Sequence, residues 1–210
     1  MESFDSFIER LASSTPAPGG GAASASVAVI ASGLNSMVSG ITQGKKSYSK
    51  YAEDMAQINK RSRDMMEYLR TLMAEDEKAF NKIVEAWKLP KNDEKEKEMR
   101  NLKMRSATKE AIAVPWKIAA ASLQILRDSL YLARFGLRSA ITDSQCSAEF
   151  AIASIRGVLQ NVAINLQNMD YRFRTDEEIK MKLFLEDAEN VYSQVTASVR
   201  EHMKEVSGNA

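Results

Sequence analysis

Cysteine and histidine are almost absent from this chain of 210 residues, in which Cys146 and His202 are the only residues of their types. A single cysteine excludes an intramolecular disulfide and a zinc site built from several cysteines. The only histidine stands near the C-terminus, where chains often fray, so catalysis by imidazole is not expected. Proton transfer would therefore fall to carboxylates, lysines or tyrosines.

An excess of charge of one sign is also missing. The 29 lysines and arginines nearly balance the 28 aspartates and glutamates, which leaves a net charge of +1. Nucleic-acid-binding domains usually carry a marked basic excess, so neither DNA nor RNA is expected as a partner. The first ten residues are acidic where a signal peptide is basic, and no apolar stretch with a cleavage site follows them. We therefore expect a protein of the reducing cytoplasm.

Glycine and proline are scarce outside one early loop, and the alternating pattern of β-strands is nearly absent. Apolar residues recur instead at spacings of three and four, which is the period of an α-helix. We therefore predict an all-α protein, a single domain over residues 1–210 that forms a bundle of six or seven helices. Pro115 is expected to kink or restart the fourth helix, Thr142 or Asp143 to cap the next one, and Thr175, with Glu178, to cap the last one. The first three predicted helices cover residues 2–12, 22–42 and 48–87.

No charged residue occurs between Arg10 and Lys45. This gap contains the loop Thr15-Pro16-Ala17-Pro18-Gly19-Gly20-Gly21, whose prolines stiffen the chain and whose glycines permit conformations and close contacts that other residues cannot make. The small residues that follow predict a helix over residues 22–42 that is buried on all sides. The gap is long enough to span a membrane, but its many serines and glycines make it weakly hydrophobic, so no membrane partner is expected.

Asp76 occupies a position in the apolar stripe of the third predicted helix, where its neighbours at helical spacing include Leu72, Phe80 and Ile83. Burial there would raise the pKa of its carboxyl group, which is the usual way to obtain a general acid or base near neutral pH. The alternative is a structural ion pair with a lysine or arginine of another helix.

Polar residues also mark the helix that follows Thr142. Asp143 at its start either caps the exposed amides or presents a carboxylate to a polar ligand. Asn161 and Asn165 are about one turn apart, and their amides either bind a ligand or satisfy neighbouring backbone groups. At a rise of about 1.5 Å per residue, Asp143 and Asn161 lie about 27 Å apart, so they belong to separate sites unless a second subunit intervenes.

Lys45 and Lys46 follow Gly44 at the end of the predicted buried helix. Their cations favour the negative end of the helix dipole, which alone could explain them. The segment Gly44-Lys45-Lys46 is also a compact anion site that could hold carboxylates of an acidic ligand. The triple glycine is not a Walker motif, because neither the following Lys-Ser/Thr pair nor the preceding strand is present, so ATP binding is not expected.

The chain carries, in this order, the segments Thr15-Pro16-Ala17-Pro18-Gly19-Gly20-Gly21-Ala22, Met37-Val38, Gly44-Lys45-Lys46, Asp76-x-x-Ala79-Phe80, Ala113-Val114-Pro115, Phe135-Gly136, Thr142-Asp143 and Asn161-Val162-x-x-Asn165-Leu166. Taken together and in their order, these segments resemble the cyclodeaminase family of folate enzymes. That family includes the cyclodeaminase part of formiminotransferase-cyclodeaminase and bacterial methenyltetrahydrofolate cyclohydrolases. An asparagine follows the Phe-Gly pair in the family, and Leu137 takes that place here.

The resemblance implies an all-helical homodimer that binds a tetrahydrofolate derivative near the subunit contact. It also implies that no metal takes part, and no cofactor beyond tetrahydrofolate as the substrate. The leading hypothesis is cyclisation of 5-formiminotetrahydrofolate to 5,10-methenyltetrahydrofolate with release of ammonia. The alternatives are a methenyltetrahydrofolate cyclohydrolase and, because of Leu137, a non-catalytic dimer that binds folate or acts as a scaffold.

Under this hypothesis Asp76 and Asp143 form the catalytic pair that handles protons. The glycine loop would cradle the substrate, the two lysines would attract the glutamate tail of folate, and the asparagine amides would contact polar ring edges or fix the helix. The predicted substrate-binding residues are Pro18, Gly19, Gly20, Gly21, Lys45, Lys46, Asn161 and Asn165.

Overall fold

Six α-helices follow one another in the computed structural model, which describes residues 3–208 and the side chains of residues 3–204. Short 3-10 turns over Lys46–Tyr51 and Arg138–Ala140 precede the third and fifth helices. Because these residues contain no strand, the prediction of an all-α bundle of six or seven helices is confirmed. The helices are α1 (Phe4–Leu11), α2 (Gly20–Gln43), α3 (Ala52–Trp87), α4 (Glu94–Phe135), α5 (Ile141–Leu166) and α6 (Tyr171–Gly208).

The small-residue helix α2 lies at the centre of the bundle and packs against α3, α4 and α5. Its alanines at 22, 25, 28 and 31 are fully buried, and α5 approaches so closely that a Cβ on Gly157 would lie 2.7 Å from Ser24 Oγ. The prediction of burial on all sides is wrong for one face, where Ile30, Met37 and Ile41 are each more than 40% exposed. By length and composition α2 could cross a membrane, and half of its most apolar window is buried inside the bundle.

Uncharged polar side chains tie α2 to its neighbours inside the core. Asn35 Nδ2 donates to the Ile125 carbonyl of α4 at 2.9 Å, and Ser129 Oγ donates to Asn35 Oδ1 at 3.0 Å. From α5, Ser147 Oγ donates to the Ala31 carbonyl at 2.8 Å. Because buried polar groups need partners, these bonds restrict how the three helices can pack and fix the middle of α2 against its neighbours.

Pro115 lies inside the continuous helix α4 and does not restart it. Proline has no amide hydrogen, so the carbonyl of Ala111, four residues earlier, loses its helical partner. Asn165 Nδ2 of α5 donates to that carbonyl at 3.1 Å. The proline thus creates an acceptor that an asparagine from a neighbouring helix satisfies.

Two predicted helix starts are wrong. The residue before α5 is Ala140 at the end of a 3-10 turn, so neither Thr142 nor Asp143 is the cap, and Asp143 stands in the first turn. Helix α6 begins at Tyr171, four residues before Thr175, because the Asp170 carboxylate accepts the Phe173 amide at 3.0 Å. A carboxylate just before a helix satisfies its free amides as well as a Ser/Thr cap does.

Candidate active site at the N-terminal end of helix α2

A cavity of about 280 Å³ opens where the glycine loop enters α2. The loop forms one wall, and α3, α4 and α5 supply the others. Six of the residues singled out in the sequence line it together: Gly19, Gly20, Gly21, Asp76, Asn161 and Asn165. The remaining lining residues are Pro16, Ala17, Glu77, Phe80, Ile83, Ala111 and Ile164.

The carboxylate of Asp76 sits on the first turn of α2. It accepts a hydrogen bond from the backbone amide of Ala22. Helix α2 has no side-chain cap of its own at Gly19 and no acidic residue in its first turn. A Cβ on Gly21 would lie 2.6 Å from the Asp76 carboxyl carbon and closer still to both oxygens. Because no glycine among residues 3–208 has a positive φ, close approach rather than unusual backbone conformation explains the need for glycine at 21.

Burial raises the pKa of the Asp76 carboxyl group above its ordinary value of 3.8. The hydrogen bond from the Ala22 amide opposes this shift, and the nearby negative charge of Glu77 adds to it. Asp76 forms no ion pair with any residue that the structure describes, so the predicted alternative of a lysine or arginine partner is not met there. Its neighbour Glu77, in contrast, pairs with Arg10 of α1.

The two asparagines of α5 contribute differently. Asn165 uses its Nδ2 on the Ala111 carbonyl and on the Asn161 carbonyl at 2.9 Å, so only its acceptor oxygen remains for a ligand. Asn161 makes a long bond of 3.4 Å to the Gly157 carbonyl, and its amide would stand 3.5 Å from a Cβ on Gly20. Asn161 is therefore the amide better placed to exchange its internal bond for one to a ligand.

Lys45, Lys46 and Asp143 lie away from the cavity, at the far ends of α2 and α5. The lysines follow the C-terminal end of α2, about 36 Å from Gly20 along the helix axis. That end neighbours the start of α5, where the Leu137 amide donates to Thr42 Oγ1 at 2.9 Å. A single chain therefore divides the predicted site residues into two groups. Pro18 belongs to the loop end but is buried and does not line the cavity.

Leu137 takes part in packing at that opposite end. Its side chain belongs to a small apolar cluster around Val38, Met55 and Leu132, beside the rings of Tyr51 and Phe135. Leucine is thus accommodated by burial against apolar neighbours, and it is not among the residues that line the cavity at Asp76.

Three lining residues were missed in the sequence, namely Glu77, Ala111 and Ile164. Glu77 is adjacent to Asp76, and Ala111 stands four residues before Pro115, so a signal existed for both. Ile164 has no polar or conformational signal, since one exposed isoleucine on an amphipathic helix is ordinary.

The cavity can hold a flat, partly polar group. The glycine backbone, the Asp76 carboxyl and the two asparagine amides supply polar contacts, while Phe80, Ile83 and Ile164 supply apolar ones. A carboxyl with a raised pKa among such walls can take a proton from a bound nitrogen or oxygen and return it.

Comparisons with known proteins agree with this picture. A family model described as formiminotransferase-cyclodeaminase matches residues 3–183. The methenyltetrahydrofolate cyclohydrolase of Methylorubrum extorquens is 32% identical over 203 residues, which are 94% of this chain and 98% of that protein. The formimidoyltransferase-cyclodeaminase of Mus musculus is 29% identical over 92% of this chain, which spans only 36% of that longer protein.

The crystal structure of formiminotetrahydrofolate cyclodeaminase from Thermotoga maritima superposes with a TM-score of 0.82 at 26% identity. The superposition covers 98% of this chain and 97% of that one. The resemblance predicted from the glycine loop and the later segments is therefore confirmed. This chain belongs to the formiminotransferase-cyclodeaminase family.

Proposed function

We propose that this protein is a folate one-carbon enzyme that cyclises 5-formiminotetrahydrofolate to 5,10-methenyltetrahydrofolate and releases ammonia. The observation that carries the proposal is the half-buried Asp76 carboxyl group, with its raised pKa, held against Gly21 in a cavity that Asn161 and Asn165 also line. The cyclodeaminase of similar length from Thermotoga maritima supports this reaction.

The reaction needs one proton to move between two nitrogens of the substrate. N10 attacks the carbon of the protonated formimino group (–CH=NH2+), a new carbon–nitrogen bond forms, and the Asp76 carboxylate takes the N10 proton. The carboxyl group then returns that proton to the departing nitrogen, the old carbon–nitrogen bond breaks, and ammonia leaves. Because both nitrogens are attached to the same carbon, a single carboxyl group can serve both transfers.

A methenyltetrahydrofolate cyclohydrolase is the second candidate. It is favoured by the relative from Methylorubrum extorquens, whose length this chain matches almost completely. In that reaction water attacks the carbon between N5 and N10, and Asp76 takes one proton from the water. Asp76 returns this proton to N5 as the carbon–N5 bond breaks, and the remaining hydroxyl proton passes to solvent to leave 10-formyltetrahydrofolate. Both reactions use the same reacting carbon and the same base.

Supplying each folate to the purified protein tests the proposal and separates the two reactions. We expect absorbance of the methenyl group to appear from 5-formiminotetrahydrofolate together with an equal amount of ammonia. Loss of that absorbance from 5,10-methenyltetrahydrofolate, without ammonia release from the formimino compound, would replace the first reaction by the second. Tight folate binding without turnover of either substrate would overturn both and favour the non-catalytic dimer.

Both candidate reactions leave the oxidation state of the carbon unchanged. We therefore propose that tetrahydrofolate enters as substrate alone, with no redox cofactor. We also propose a cytoplasmic location, which the single cysteine of the chain supports.

We further propose that the protein is a homodimer in which the exposed face of α2 meets the same face of a second copy. This face carries Ile30, Met37 and Ile41, and α2 contains no charged residue along its whole length. A two-fold axis near the middle of α2 would lay the partner helix antiparallel and bring its C-terminal end beside the first chain's cavity. The partner's Lys45, the partner's Lys46 and the partner's Asp143 would then lie near Asp76. There the lysines could bind the glutamate tail of folate, and the aspartate could take part in proton transfer.

Met37→Lys is expected to shift the protein from dimer to monomer at micromolar concentration, because it buries a charge at the proposed contact. Sedimentation velocity measures the change. Leu183→Lys is the matched control, since Leu183 is 61% exposed on α6, a helix that packs against α4 and α5. An unchanged mass for Met37→Lys, or equal dissociation of both variants, would contradict this interface.

A further inference from the structure

A second and larger depression, of about 550 Å³, lies between α1, α2 and α3. We call it the α1 groove. Its apolar floor includes Phe4, Phe7 and Met73, and Phe4 is 63% exposed. Ile30 lines the edge where the groove meets the α2 face proposed for the dimer. An exposed aromatic ring beside an apolar floor offers a place for another flat ring.

Cations surround this floor. Arg10, Arg70 and Lys78 line the groove, and Glu77 is the only acidic residue among the residues that line it. Arg10 pairs with Glu77 and Arg70 with Glu67, which lies outside the groove, while Lys78 forms no ion pair with any residue that the structure describes. The groove therefore combines an aromatic surface with a positive rim.

The α1 groove and the cavity at Asp76 are neighbours along α3. Glu77 lines both, so the two spaces share one side chain. Arg70 lies about 9 Å from Asp76 along the helix axis, which is less than two turns. A ligand that reacts at Asp76 can therefore extend past Glu77 into the groove without leaving the chain.

We propose that the α1 groove binds the p-aminobenzoyl-glutamate part of the tetrahydrofolate substrate, an inference that rests on the proposed function. The benzoyl ring packs beside Phe4, and the glutamate carboxylates meet Arg70 and Lys78. This assignment needs only residues of one chain. In the proposed dimer the partner's Lys45 and the partner's Lys46 reach the same end of α2 and extend the positive rim.

Direct binding tests the assignment without requiring turnover. The probe is p-aminobenzoyl-glutamate, compared with p-aminobenzamide, which lacks the glutamate, and affinities are measured by calorimetry or by displacement. Wild type is expected to prefer the glutamate compound. Lys78→Gln should weaken its binding about threefold to fivefold, and the Arg70→Gln/Lys78→Gln double variant about tenfold, with KM for the folate substrate rising in parallel and kcat unaffected. Phe4→Ala should weaken both probes, since it removes the ring contact.

Lys60→Gln is the matched control, because Lys60 lies five turns earlier on the same face of α3, about 27 Å away, and is exposed. Equal affinity of wild type and the double variant for the glutamate probe would overturn the groove assignment while folate turnover still supports the proposed function. If probe binding depends on Arg70 and Lys78 but the protein turns over neither folate, the groove assignment holds and the proposed function is overturned. If Phe4→Ala changes sedimentation but leaves the affinity for both probes unchanged, Phe4 packs against a second copy and not against the ligand, which would also overturn the assignment.

Discussion

Asp76→Asn is expected to lower kcat by about two to four orders of magnitude, which is the usual contribution of a general acid or base. The asparagine side chain keeps an oxygen that can accept the hydrogen bond from the Ala22 amide, so the cap on α2 is retained. A carboxamide cannot take the substrate proton, however, so the base is lost. Turnover of 5-formiminotetrahydrofolate and helix content by circular dichroism are measured together. Near-normal turnover with intact helix content would remove Asp76 from the mechanism.

The pH profile distinguishes a chemical role from a structural one. The raised pKa of Asp76 in the free protein places the acidic limb of the kcat/KM profile above 3.8, so kcat/KM falls as pH decreases through that raised value, and the variant should lack this limb. A raised carboxyl pKa means that the neutral form favours folding, a contribution present below 3.8 and lost as pH rises through the folded-state pKa. The neutral asparagine should therefore not destabilise the protein at pH 7. Glu85→Gln, an exposed change on the same helix, is the control and should keep the wild-type profile.

Gly21→Ala is expected to lower kcat/KM by about 10²-fold, because the added Cβ would overlap the Asp76 carboxyl group and displace it. Alanine is normally better than glycine inside a helix by about 0.5–1 kcal/mol. Here the overlap should dominate and lower the free energy of unfolding by about 1–3 kcal/mol, as overpacking does. Kinetics and thermal unfolding measured on the same preparation check both effects.

Gly33→Ala is the matched control on the same helix. No atom lies within 4 Å of a Cβ at Gly33, so this variant should gain helix stability and keep its activity. Its sedimentation is recorded alongside, because Gly33 lies near the face proposed to meet a second copy. Wild-type kinetics in Gly21→Ala, or equal losses in the two variants, would contradict the close contact between the glycine loop and Asp76.

Helix boundaries show where sequence patterns sufficed. The uncharged run after the glycine loop predicted the start of α2 to within two residues. A long run of small residues without charge fits best as a helix in the interior of a bundle, where neighbouring helices can approach it closely. The start of α6 was missed by four residues, since Ser/Thr-x-x-Glu patterns also occur inside helices and Asp170 offered an earlier cap. Local signals of similar strength compete, and packing selects between them.

Periodicity alone placed Asp76 on the apolar stripe of α3, and composition alone excluded disulfides, cysteine zinc clusters and a strongly basic surface. These conclusions depend on residue spacing and counts, which the chain carries in itself. Only the tertiary structure showed that Gly21 touches Asp76, that Asn165 binds the carbonyl freed by Pro115, and that Asp76 and the glycine loop line one cavity, about 36 Å from the two lysines along α2. The physical reason is that helical spacing determines which side chains share a face, whereas the contacts between helices determine what that face meets.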